Sequence, residues 1–330
     1  MWLPFAQALL LHYSRQHKKT TLLIPESLYN LAQEYLTFDS AILRKYPDEV
    51  YSLKQIRALN IALKDQYETA ISTSVERAFF YDDIPRIFSR AKFFYSAQAV
   101  PLSERYWGKL SILADKIFFK NTHIFELKQY MDTPEISNYN KLIQYICNTS
   151  IPPQLFASTT KNGTILAPFS QDPQKTWSPE QFSLLIPYLP TPIFLVGMKS
   201  DFTKAQRICD SSPYPVNNLC GKTSLQELNT LIKKSSIIVG TDSGIANLGI
   251  IHGKKVIAIT GQANNRFIRI PADFVQFGFK VPIKIIAKEI CPFAGCNYHC
   301  PYYSSGEQYQ CIKNINPVDV IEILKQLSVD

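Results

Sequence analysis

Three groups of residues in this chain have the types and spacing that chemistry needs. The first is Thr241-Asp242-Ser243-Gly244, which follows the apolar run Ser236–Gly240 and precedes Ile245–Ile251. The run reads as a buried strand, and the segment after it is too rich in small residues to be another. A turn at that place leads into a helix whose first N–H groups have no intrahelical partner, a natural seat for a diphosphate. Asp242 and Ser243 can cap the helix, and Gly244 lets another molecule approach the backbone. Plain helix capping would explain an isolated Asp-Ser-Gly as well. The second group, Cys220-Gly221-Lys222-Thr223-Ser224, is a further turn into a helix. The third consists of four of the seven cysteines, Cys291, Cys296, Cys300 and Cys311, which fall within 21 residues. Four thiolates satisfy tetrahedral zinc, although these spacings do not form the usual pair of tight knuckles.

These groups need a scaffold, and the sequence describes one. Beyond residue 163, strands and helices alternate: Thr164–Ala167, a helix from Ser178, Ile193–Gly197, a helix from Asp201, Val216–Cys220, a helix from Ser224, Ser236–Thr241, a helix from Gly244, and Lys255–Thr260. Such alternation predicts a parallel sheet covered by helices, with ligands at the carboxyl ends of its strands. Ser178 with Pro179 and Gln181, and Ser224 with Glu227, are capping-box patterns that fix two helix starts. A final helix is expected over Pro317–Leu327. The amino-terminal part alternates too: a helix over Leu3–Gln16, strand Thr20–Pro25, a helix from Glu26, strand Ser40–Arg44, a helix around Leu53–Lys64, and strands Thr69–Ser72 and Lys92–Tyr95. The helix Ile136–Cys147 then leads into a polar, turn-rich stretch between Ile151 and Gly163, a linker. The domains expected are therefore 1–154 and 155–330.

Composition limits the function classes. A chain of 330 residues with 46% hydrophobic and 12% aromatic content can fill two cores, which argues against disorder. No apolar run is long enough to span a bilayer, and Trp2–Leu11 lacks the flanks of a signal peptide. A net charge of +8 favours an anionic partner. Basic residues are scattered, with no arginine-rich tract, zinc-finger spacing or ribonucleoprotein motif, so a transient anionic membrane surface fits better than nucleic acid. A generally basic surface without specific meaning is the other reading.

Gly221-Lys222-Thr223-Ser224-Leu225, Asp242-Ser243-Gly244 and Lys255–Thr260 with Gly261-Gln262 together resemble the carboxyl-terminal half of glycosyltransferase family 9, the lipopolysaccharide heptosyltransferase family. Ala167-Pro168-Phe169-Ser170, Lys175-Thr176-Trp177-Ser178-Pro179-Glu180-Gln181-Phe182, and the late cysteines with the final helix match it in order. The resemblance is specific from about Gly163 and loose before it. It implies two Rossmann-like domains facing a cleft, the GT-B type of α/β fold, and transfer of a sugar, heptose from ADP-heptose, to a lipopolysaccharide core or related surface glycan. The expected partners are that nucleotide-sugar donor and an acidic glycolipid acceptor. The expected place is the cytoplasm, peripherally on the inner face of the inner membrane, with no cofactor.

By the same resemblance Lys175 and Ser170 bind donor phosphate, while Gln171 replaces a family hydroxyl. Asp242, Ser243 and Gly244 lie against donor sugar and phosphates, and Lys222 and Thr223 flank the base. Asn247 stands where the family usually has histidine, keeping hydrogen-bonding capacity without charge. No metal is expected, and the cysteines are expected to form a structural loop, with a bound metal or disulfide as the alternative. The family's first strand, and the Gly-Asp that supplies its general base, would fall ahead of Met1. A truncated first domain, with its aspartate upstream, is thus the expectation, and a degenerate homologue the alternative. His123, in a His-x-x-Glu element with Glu126, is the substitute base within the first domain. A catalytically silent nucleotide-sugar-binding protein and a zinc-dependent structural or nucleic-acid module are the competing functional classes.

Overall fold

The computed structural model describes residues 3–44, 53–63, 67–71, 84–97, 122–125, 135–153, 155–156, 162–170, 175–262, 275–280, 283–285, 291–294, 300 and 309–327. Two compact units emerge: one comprises residues 8–132 and 138–151, the other residues 1–7, 133–137 and 152–330.

In the amino-terminal unit the elements are α1 (Leu3–Arg15, whose first residues belong to the other unit), β1 (Thr21–Pro25), α2 (Glu26–Tyr35), β2 (Ser40–Arg44), α3 (Leu53–Ala62), β3 (Thr69–Ile71), α4 (Ile84–Ser89), β4 (Phe93–Ala97), β5 (Thr122–Phe125) and α5 (Glu135–Cys147). β1 and β2 pair in parallel, Thr21 opposite Ser40. β3, β4 and β5 form a second parallel sheet, with Thr69 opposite Phe93 and Tyr95 opposite His123. Among the described residues no backbone ladder joins the two sheets. They share a core nonetheless. Leu59 and Leu63 pack with Leu23 and Ile42 from the first sheet, and with Tyr67 and Phe88 from around β3 and α4. Lys18, ahead of β1, also meets Glu68, ahead of β3, at 2.5 Å.

The carboxyl-terminal unit holds β6 (Thr164–Ala167), α6 (Pro179–Ser183), β7 (Ile193–Leu195), α7 (Phe202–Ser211), β8 (Val216–Asn218), α8 (Leu225–Lys234), β9 (Ile237–Thr241), α9 (Gly244–Ile251), β10 (Lys255–Ile259), β11 (Ile283–Ile285), α10 (Gln310–Lys313) and α11 (Pro317–Leu327). Its six strands are all parallel, in the order β11-β10-β9-β6-β7-β8. Leu166, Leu195, Val239, Ile257 and Ile259 are fully buried, as strands covered on both faces must be. The sheet has one strand more than the sequence reading foresaw, because β11 follows β10. From β6 the chain steps outward through β7 and β8, then returns to the other side of β6 with β9. The reversal opens a crevice outside the carboxyl ends of β6 and β9, the switch point at which open α/β sheets bind ligands.

Both foreseen capping boxes form. Ser178 Oγ accepts from the Gln181 N–H at 3.2 Å, and Ser224 Oγ accepts from the Glu227 N–H at 3.2 Å. The side chains of Gln181 and Glu227 return the bond to the Ser178 and Ser224 N–H groups.

Candidate functional site at the switch point

The crevice is built by two loops. The loop after β6 carries Ser170 and Lys175, and the turn after β9 carries Asp242 and Ser243. Thr241 Oγ1 donates to Phe169 O at 3.5 Å, laying the end of β9 against the residue before Ser170. Farther along the same loop, Lys175 Nζ meets Asp242 Oδ2 at 3.4 Å, with 29% and 16% of the two side chains exposed. Residues 67 positions apart in sequence thus form an ion pair at the mouth of the crevice.

α9 starts here, and its opening is unusual. Ser243 occupies the N-cap position in extended conformation, yet its side chain makes no capping bond. For Ser243 this corrects the expectation that its side chain caps the helix. Ser243 Oγ is instead buried without a partner, and so is Asn247 Oδ1 one turn later. The Asn247 amide donates through Nδ2 to Ser243 O at 3.2 Å, which turns Oδ1 away from that carbonyl as a bare acceptor. A Cβ added to Gly244 would meet nothing within 4 Å, so open space adjoins the first turn. Bare polar atoms, first-turn N–H groups and an ammonium therefore share one small region, a combination suited to an anion flanked by hydroxyl groups.

Lys222 and Thr223 lie on the same edge of the sheet but two strands from β6, after β8. Gly221, at φ +67°, allows the turn, and a Cβ there would come within 2.5 Å of Lys199 Cα. The Lys222 ammonium sits 4.8 Å from the centre of the Phe202 ring, held by a cation–π contact. Beside it, burial first, then Asp201 and Cys209, push the Cys220 thiol up to about 12, which makes this cysteine inert near neutral pH.

On the far side of the crevice the Cys291 N–H donates to the buried Gln262 Oε1 at 2.7 Å, tethering the start of the cysteine segment to the end of β10. Cys311 lies on α10, and Cys296 falls outside the described residues. Among the described residues no three His, Cys, Asp or Glu side chains gather as a metal would require. His123 lies on β5, a strand that the sequence reading did not anticipate, and its side chain, like Glu126 and Gln171, lies outside the described residues.

The sequence reading missed Trp177. Its ring is fully buried, its Nε1 donates to Ile315 O at 3.1 Å, and it packs edge-on against Phe182 at 4.9 Å. The only sequence sign was its place in Lys175-Thr176-Trp177-Ser178.

Residues 121–281 match the family model described as glycosyltransferase family 9 (heptosyltransferase). That stretch is therefore similar to family 9. The match begins ahead of the region in which the motifs were most specific, and ends before the cysteine segment. Solved structures agree on the fold. A family 9 glycosyltransferase from Veillonella parvula superposes with a TM-score of 0.67 at 14% identity, over 99% of this chain and 93% of that one. The E. coli ADP-heptose lipopolysaccharide heptosyltransferase II gives 0.64 at 17% identity, over 100% and 95%. The E. coli heptosyltransferase WaaC with ADP-2-deoxy-2-fluoro heptose gives 0.66 at 12% identity, over 98% and 95%. No curated protein matches the sequence. The chain thus has the GT-B type of α/β fold that the resemblance implied.

Proposed function

We propose that this chain is a family 9 glycosyltransferase that moves heptose from ADP-heptose onto a lipopolysaccharide core or a related bacterial surface glycan. The observation that carries the reading is the Lys175–Asp242 pair at the switch point beside the open first turn of α9. In this reading the donor diphosphate lies between the Lys175 ammonium and the N–H groups of α9, with Ser170 contributing a hydroxyl. Positive charge fixed at that place stabilises the negative charge that grows on the departing diphosphate as the glycosidic bond breaks. Asp242, Ser243 and Asn247 face the sugar side of the donor, and Lys222 and Thr223 flank the nucleotide base.

Two folded neighbours support the choice of donor, one being an ADP-heptose transferase and the other holding an ADP-heptose analogue. The net charge of +8 suits an acidic, membrane-borne acceptor visited from the cytoplasmic face. The test is an assay of ADP release from ADP-heptose in the presence of heptose-deficient lipopolysaccharide. Acceptor-dependent release supports the reading. Absence of both release and ADP binding by the folded protein refutes it.

A further inference from the structure

Lys175 has a long, flexible side chain on a loop, and a phosphate-binding ammonium works only if its backbone is held still. Two residues later that loop enters the protein interior. Trp177 is fully buried in the cluster that includes Phe182, Ile312, Ile315, Val320 and Leu324. Its indole N–H donates to Ile315 O at 3.1 Å, 138 residues away in sequence. Gln181 Nε2 donates to the same oxygen at 3.3 Å, while Gln181 Oε1 and N–H close the capping box with Ser178. Ile315 is itself 1% exposed, in the short connection between α10 and α11.

One carbonyl near the end of the chain therefore receives two donors from the segment that follows Lys175. If this were ordinary core packing, the bulk of the indole would suffice. The indole N–H has instead found the one acceptor that a neighbouring side chain also uses, which pins both the direction and the depth at which the loop enters. Lys175, two residues before the pin, reaches Asp242 Oδ2 at 3.4 Å.

We propose that Trp177 and Gln181, through the Ile315 carbonyl, are positioning residues for Lys175, so that the α10–α11 connection sets the affinity of the diphosphate subsite. This rests on the reading of Lys175 as a phosphate ligand. The consequence is a coupling: weakening the pin harms diphosphate binding only while the lysine is present.

The experiment is a double-mutant cycle on the full chain, with ADP as probe and calorimetry as readout. The proteins are wild type, Trp177→Phe, Lys175→Ala and the double variant. Phenylalanine keeps an aromatic ring in the cluster and removes the N–H. Trp177→Phe is expected to weaken ADP binding about 5- to 10-fold alone, the factor of one neutral hydrogen bond, and less than about 2-fold beside Lys175→Ala. Gln181→Leu in the same cycle should lose about 2- to 5-fold with the same dependence, and decides the matter if Trp177→Phe does not fold. Equal losses in both backgrounds, or no loss from either substitution, overturn the proposal while leaving the donor site standing. Failure of the wild-type chain to bind ADP overturns the donor site, and this inference with it.

Discussion

The affinity of the Lys175→Ala variant for ADP is the quantity that most directly probes the switch-point site. In the structure the ammonium stands 3.4 Å from Asp242 Oδ2, with both side chains largely withdrawn from solvent. At an effective dielectric of about 20, two unit charges at that distance attract by roughly 5 kcal/mol before desolvation, most of which the cost of withdrawing them from water cancels. A diphosphate oxygen that takes a charge-assisted hydrogen bond from the same ammonium gains about 1.5–3 kcal/mol, so removing it should weaken ADP about 10- to 150-fold. Alanine also leaves the Asp242 carboxylate facing the incoming anion. At about 6 Å and a dielectric of about 20–40 that repulsion is on the order of 1.5–3 kcal/mol, and it falls with added salt. Adding Asp242→Asn to Lys175→Ala should therefore recover part of the loss, and recover more of it at low salt than at physiological salt. Because ADP has no transferred sugar, contacts between Asp242 and the sugar cannot confuse the result. Calorimetric titration of the three proteins, with melting temperatures recorded in parallel, gives the numbers. Lys175→Ala binding ADP within about 2-fold of wild type, at unchanged melting temperature, would refute the reasoning.

Two other outcomes follow from single observations. Asn247→Leu removes a buried acceptor that has no partner and, with it, the Nδ2 bond to Ser243 O, two stability effects of similar size and opposite sign, so it should move the melting temperature little while ADP-heptose affinity falls about 5- to 10-fold; a large loss of melting temperature with intact affinity would contradict this. Glu227 accepts bonds from the Ser224 N–H and hydroxyl, in that order of effect, which holds its carboxyl below the ordinary 4.5. A depressed folded value means that its contribution is present above 4.5 and is lost as pH falls through the folded value. Glu227→Gln, which rebuilds the box that Ser178 and Gln181 form, should close its stability gap to wild type below that pH, and thermal melts showing a constant gap would count against the assignment.

Local chemistry made most of the carboxyl-terminal unit legible. Ser178 and Ser224 each carry their capping partner three residues on, so the sequence alone locates the starts of α6 and α8. Strands buried on both faces, such as β9 and β10, announce themselves as unbroken apolar runs. What stayed hidden depends on distant partners or on geometry. Strand β11 is three residues long, with a lysine at its centre, too short for any pattern to register. Ser243 has the right residue type for a cap, but its extended backbone and buried hydroxyl point elsewhere, which no cap preference encodes. The Lys222 ammonium rests on Phe202, twenty residues earlier, a contact that no local pattern encodes. The Trp177–Ile315 bond joins segments whose proximity only the folded sheet creates.

The strand order explains why those hidden contacts cluster around the site. Had β9 continued outward beyond β8, Asp242 would lie three strands from the loop that carries Lys175, roughly 14 Å away at the ordinary spacing between strands. Its return beside β6 makes the two loops neighbours and leaves an acidic and a basic side chain to neutralise each other at the crevice. That neutralisation lowers the gain from binding an isolated phosphate, since the lysine already has a counter-charge. A ligand that also satisfies Ser243 Oγ and Asn247 Oδ1 recovers the free energy that these bare atoms cost. If the proposed donor site is right, the pairing of β6 with β9 thus favours an anion with hydroxyl groups attached over an anion alone.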